Sequence, residues 1–132
     1  MKAILFLSIF FNTAIAQVKG DENIRQFWSN GSTHYLFSYN PNTKILISDT
    51  CLDESQSLDK SKCEAAKALK NKNLQVDPVH FRGGKNPGAV ACTSGLKKKI
   101  IILKDSKDNE NSFCVFEDES MISAINLQNI IK

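Results

Sequence analysis

KIIILKDSKDNENSFCVF, residues 99–116, is the stretch on which the fold turns. Lys99 to Leu103 is a run of branched aliphatic side chains with strong β preference, and Ser112 to Phe116 is a second such run. Asp105 to Asn111 between them is wholly polar, so the pair predicts a hairpin with the polar insert as its loop. In the second run Cys114 and Phe116 share one face and Phe113 and Val115 the other, because successive side chains of a strand alternate.

Outward from this hairpin the signals alternate between helix and strand. Asn86-Pro87 supplies an N-cap residue followed by proline, which opens a short helix reaching Cys92, and Gly95 ends it. Downstream, Asp118 and Ser120 are placed to cap a final helix carrying Met121, Ile122, Ile125 and Leu127, although Met121, Ser123, Ile125 and Leu127 also alternate like a strand. Upstream, Thr33 to Tyr39 and Lys44 to Ser48 flank the turn cluster Asn40 to Thr43 and predict another hairpin. Glu22 to Trp28 reads as a short helix with Ile24, Phe27 and Trp28 on one side. Ser61 to Lys72 reads as a second, with Cys63, Ala66 and Leu69 on its buried face. Asn73 to Lys85 has no clear period and joins the two halves. The expected class is α+β, a small domain of β-hairpins and short helices.

The chain has 132 residues, the size of one domain. Its first sixteen residues form a separate object: Lys2 is a positive start, Ala3 to Phe11 is apolar apart from Ser8, and Ala14-Ile15-Ala16 is a small-x-small cleavage site. This order is that of a secretory signal peptide, and the apolar run is about half of the roughly 20 residues that span a bilayer. Since Gln17 and not cysteine follows, lipoprotein attachment at that point is excluded. The expected organisation is therefore a signal peptide over 1–16, an α+β region over 17–83 and a second region over 84–132. The product would be soluble, and periplasmic or extracellular.

An even count of cysteines in an exported chain implies disulfides, and Cys51, Cys63, Cys92 and Cys114 all follow the leader. Four cysteines allow three pairings. The spacing suggests Cys51 with Cys63 and Cys92 with Cys114, each closing a short loop. No pair has the C-x2-4-C spacing of zinc ligands, so no metal is expected.

Asn86, Pro87, Cys92 and Gly95, followed by Cys114-Val115-Phe116-Glu117-Asp118-Glu119-Ser120, resemble the pattern of a small bacterial exported family of unknown function that goes by the name putative hemolysin. That pattern opens with Asn-Pro, passes through small residues, a cysteine and a glycine, and closes on Cys-x-Phe-x-Asp-Gly-Ser. The likeness covers about residues 84–127. Two departures stand out: Glu119 occupies the glycine position, and Ile122 and Ile125 occupy the places of a later cysteine and tryptophan. The resemblance brings no catalytic residues, and a pairing of Cys92 with Cys114 rests on spacing alone.

The remaining chemistry is sparse. There is no nucleophile elbow, no metalloprotease helix and no phosphate loop, and the two histidines, His34 and His80, lie far apart in sequence. Neither an enzyme nor a cofactor is expected. A formal charge of +3 is too small and too evenly spread for nucleic acid. Cations do gather at Arg82, Lys85, Lys97, Lys98, Lys99, Lys104 and Lys107, which would suit an anionic partner. The same lysines beside Ile100 to Leu103 would also protect a strand edge, and edge protection is favoured over contact with a membrane surface. The expected function is thus a non-enzymatic exported binding domain whose partner is a protein or envelope component. The alternative is an inhibitor of an extracellular protease or lysozyme, with Asp105 to Asn111 as the presented loop.

Overall fold

The computed structural model describes residues 22–132. The signal-peptide reading falls on residues outside these. Six strands form a closed antiparallel barrel: β1 (Ile24–Ser29), β2 (His34–Tyr39), β3 (Leu46–Ser48), β4 (Lys99–Lys104), β5 (Glu110–Val115) and β6 (Met121–Ser123). Their order around the barrel is β1-β2-β3-β6-β5-β4. Helices α1 (Glu64–Lys70) and α2 (Pro87–Val90), with turns of 3-10 helix, supply the rest. The domain is mostly sheet. Among the described residues no helix is long and apolar enough to cross a membrane.

The regions before and after residue 84 each contribute one three-stranded meander, and the two meanders repeat one register. Phe37, Ser38 and Tyr39 pair with Ser48, Ile47 and Leu46, while Phe113, Cys114 and Val115 pair with Ser123, Ile122 and Met121. Ile47 against Ile122 and Ser29 against Lys104 join the meanders at equivalent positions. The barrel thus has an approximate internal two-fold, and the regions divided at residue 84 share one core.

Alternation sorts the apolar residues into two clusters. Trp28, Phe37, Leu46, Leu103, Phe113 and Met121 fill the barrel interior, where the Phe113 ring meets Phe37 at 4.5 Å and Trp28 at 5.3 Å. Ile47, Cys114 and Ile122 point out of the other face and are covered by Ala65, Ala66, Ala91, Cys92, Leu127 and Ile130. The face separation expected for Cys114 and Phe116 against Phe113 and Val115 is the one observed.

Several local expectations are corrected. Glu22 to Trp28 is not a helix but runs into β1, because ladder pairing with β2 along the strand's whole length outweighs weak local preference. Phe27 consequently faces solvent, 63% exposed, while Trp28 points inward. The second helix begins only at Glu64, and Cys63 is its N-cap, its sulfur accepting the Ala66 N–H at 3.3 Å. The helix opened by Asn86 has its expected cap: Asn86 Oδ1 accepts from Gly88 and Ala89 N–H. It then widens into a π-turn over Ala91–Gly95. The final helix is replaced by β6 and a 3-10 segment, Ala124–Ile130, since Met121 to Ser123 follow their alternation into the barrel. The connector contains a 3-10 turn, Pro78–Phe81, and a bridge between Leu74 and Ile131.

The β5–β6 turn places Glu119 in a left-handed conformation. Phe116 N–H donates to Ser120 O at 2.9 Å and Glu119 N–H to Phe116 O at 3.0 Å, which drives Glu119 to φ +70°. A left-handed φ costs an L residue roughly 1–2 kcal/mol, partly offset in glycine by roughly 0.5–1 kcal/mol of extra chain entropy. Glu119→Gly should therefore raise stability by about 0.5–1 kcal/mol in urea titrations. A loss of stability would show that the Glu119 side chain has a favourable role.

Candidate functional site

The two disulfides tie helices and turns to the outer face of the barrel. Cys51, in the 3-10 turn after β3, bonds to Cys63 at the start of α1, and Cys92, in the π-turn, bonds to Cys114 of β5. This is the nearest-neighbour pairing that the spacing suggested.

The acidic and hydroxyl residues of the motif cap a helix other than the expected one. Asp118 Oδ2 accepts the Glu64 N–H at 2.9 Å, and Ser120 Oγ accepts the Ala65 N–H at 3.0 Å. Together with the Cys63 sulfur they satisfy the first N–H groups of α1, which otherwise have no partner within the helix. Asp118 Oδ1 in turn accepts the Ser120 hydroxyl at 2.5 Å and its N–H at 2.9 Å. Burial raises the Asp118 pKa, but the Ser120 hydroxyl, Glu64 N–H and Ser120 N–H outweigh it and hold the carboxyl below its ordinary value. Asp53, through the Ser55 hydroxyl and backbone N–H groups, and Asp105, through the Asn109 side chain, are lowered in the same direction.

A lowered folded pKa means that this stability is complete above the ordinary carboxylate range and is lost as pH falls through the folded values. The urea midpoint should accordingly drop as pH falls below about 4. Asp118→Asn should flatten part of that slope. An acid limb unchanged in this variant would locate the protons elsewhere.

Asn86, Asp118 and Ser120 hold helix starts and apolar side chains fill the barrel interior, so a ligand-sized concavity has to lie outside it. A cleft of about 660 Å³ opens between the β2–β3 turn, the 52–59 loop, the end of α1 and the last 3-10 segment. Ile45, Ile47, Leu58 and Leu69 form an aliphatic floor. Its rim carries uncharged amides and hydroxyls, among them Asn23, Asn40, Gln56, Ser57, Asn126 and Asn129. Lys70, Lys72 and Asp59 stand on the same rim.

The rim is internally braced. Asn23 Nδ2 donates to the Gln56 carbonyl at 3.1 Å, tying the start of the barrel to the 52–59 loop. That loop is itself held by Asp53 Oδ1, which accepts the Ser55 and Ser57 N–H groups at 2.9 Å. Lys70 Nζ donates to the Asp59 carbonyl at 2.7 Å, and Asn126 bridges Leu46 N–H and Lys44 carbonyl.

Comparison of the chain with family models, curated proteins and solved structures finds no match.

Of the cations singled out in the sequence, Lys99 and Lys104 do not share one patch. Lys99 and Lys104 stand at opposite ends of β4, about 17 Å apart by strand rise and, five positions apart, on opposite faces. Lys98 pairs with Glu117 at 3.3 Å and Lys104 with Glu110 at 3.7 Å. Arg82 and Lys85 lie in the connector, exposed, as does Lys97 just before β4. His34 begins β2 and His80 lies in the Pro78–Phe81 turn. Among the described residues no three His, Cys, Asp or Glu side chains gather as a metal site. Of the acidic residues early in the chain, Asp49 accepts the Ser38 hydroxyl at 2.5 Å and faces Arg25 at 3.4 Å.

The sequence reading had no sign of the cleft. Its lining comes from segments between Asn23 and Asn129, and only the fold brings them together. A local hint existed in the amide-rich turn Asn40-Pro41-Asn42-Thr43, read above only as a turn.

Proposed function

We propose that this chain is a non-enzymatic, exported binding domain, periplasmic or secreted, whose ligand occupies the cleft between the β2–β3 turn and α1. The observation that carries this reading is the cleft's composition. Uncharged donors and acceptors surround an aliphatic floor in a volume suited to a small ligand or a segment of a larger one. The two disulfides suit an oxidising compartment, and Cys51–Cys63 holds the 52–59 loop and α1, which frame the cleft. The likeness of Asn86 to Cys92 and of Cys114 to Ser120 to the putative-hemolysin pattern is in keeping with an exported domain.

The test is a titration of the oxidised, isotope-labelled protein with a panel of oligosaccharides, short peptides and lipid headgroups. Amide resonances of Leu58, Leu69, Asn126 and Asn129 should move together and saturate. Saturable shifts gathered elsewhere on the surface would overturn the reading.

One observation favours a second reading, inhibition of an extracellular hydrolase. The β4–β5 loop is fastened from within: Asp105 Oδ1 accepts the Lys107 and Asn109 N–H groups at 2.9 Å, and Oδ2 accepts Asn109 Nδ2 at 3.0 Å. A preformed exposed loop avoids part of the ordering cost of docking. Stoichiometric inhibition of a protease or lysozyme, lost in Asp105→Ala, would establish it; a panel left fully active counts against it.

A further inference from the structure

We infer that the cleft takes an extended peptide, seating one aliphatic side chain on its floor and placing a carboxylate toward Lys72. This rests on the reading of the cleft as the ligand site and adds the class of ligand.

Three features of the lining select a peptide. Side-chain amides carry both donors and an acceptor, the complement of a peptide unit. Two rim amides already read backbone in this fold: Asn126 accepts the Leu46 N–H at 3.0 Å and donates to the Lys44 carbonyl at 2.9 Å, and Asn23 donates to the Gln56 carbonyl at 3.1 Å. Asn129, three residues beyond Asn126 on the same segment, is exposed on the rim and available to a ligand in the same way.

The floor distinguishes a peptide from a sugar. Ile45, Ile47, Leu58 and Leu69 are aliphatic, and among the described residues no aromatic ring lines the cleft. A pyranose presents a flat C–H face that packs best against an aromatic plate, whereas a leucine, isoleucine or valine side chain fills an irregular aliphatic pocket. Extended peptides are held in this manner elsewhere, by polar groups on the main chain and pockets for alternate side chains.

Charge orients the chain. Lys70 and Lys72 stand against Asp59 alone among the ionised groups of the lining. The Lys70 ammonium is engaged by the Asp59 carbonyl, which leaves the exposed Lys72, outside every ion pair among the described residues, as the cation to meet a carboxylate.

The experiment titrates the labelled, oxidised protein with two mixtures of N-acetylated pentapeptides, leucine fixed at the third position. One mixture ends in aspartate with a free carboxylate, the other in an asparagine amide, and chitotriose is the sugar probe. The acidic mixture should shift Leu58, Leu69 and Asn129 and bind about three- to five-fold more tightly than the neutral one. Lys72→Gln, at an exposed site, should erase that difference. Leu69→Ala should weaken both about ten-fold. Saturation by chitotriose with no response to either peptide mixture would overturn the peptide class and leave the cleft as the site. Equal affinity for acidic and neutral mixtures would overturn the role of Lys72. Cleft resonances that answer no probe would overturn both the class and the site.

Discussion

Gly88→Ala should destabilise the fold by at least about 3 kcal/mol, the range of overpacked or strained core substitutions. Gly88 is buried in α2, where a Cβ built on its backbone would lie 1.9 Å from the Ala124 carbonyl oxygen and 2.6 Å from its carbonyl carbon. Both atoms are main chain, at the start of the 3-10 segment that follows β6, so no rotamer change relieves the clash. The helix must back away instead. Val90 at its end and Ala91 and Cys92 directly after it are all buried, and Cys92 is tethered to β5. Retreat of α2 would therefore strain the disulfide or open the outer cluster around Leu127 and Ile130. For a domain of this size the loss corresponds to a melting temperature lower by about 12–20 °C. Ala89→Gly, one position along and half-buried, is the control and should cost about 1 kcal/mol from helix propensity. If Gly88→Ala melts within about 1 kcal/mol of the parent, the segment at Ala124 yields and the close approach is not what fixes α2.

This contact also shows where sequence reading stops. Asn86-Pro87 announces a helix start from local chemistry alone, and the structure has it there. Nothing near Gly88 reveals that Ala124 crosses above it. Likewise Asp118 and Ser120 were legible as capping residues, but the helix they cap lies 54 and 55 residues upstream and not next to them. The hairpin of residues 99–116 was legible because its two runs alternate around a polar insert, a pattern that needs no distant partner. β1 reads as helix because Ile24 and Phe27 are exposed and its apolar positions do not follow a strict period of two. Its conformation is imposed by β2. The internal two-fold was present as Phe37 with Ile47-Ser48 and Phe113 with Ile122-Ser123, but unlike turns separate the matching residues. Ser38 also stands where the second meander has Cys114, so even the disulfide is not repeated.

Opening both disulfides should remove about 6 kcal/mol, comparable to the whole stability of many domains this small. Each bridge closes a short loop, with sequence separations of 12 and 22, for which loop entropy in the unfolded chain gives about 3 kcal/mol apiece. The need for them is visible in the outer cluster. Half of the six buried residues that cover the barrel from the helical layer are alanines, Ala65, Ala66 and Ala91, which bury little apolar surface for the chain they order. The two bridges should nevertheless fail differently. Cys92 and Cys114 are both fully buried against β5 and α2, so Cys92→Ala with Cys114→Ala adds a cavity to the lost crosslink and should unfold the domain as one unit. Cys63 is partly exposed, and its bridge holds α1 and the loop over 52–59 to the barrel. Removing it should first release those two elements, which together form one wall of the cleft. In hydrogen exchange, Cys51→Ala with Cys63→Ala should lose protection at Ala66 to Lys70 while β4 and β5 stay protected, and peptide binding should disappear before the barrel melts. Uniform loss of protection across β4, β5 and α1 in that variant would show instead that the helical layer and barrel unfold together, with no cleft-specific role for the first bridge.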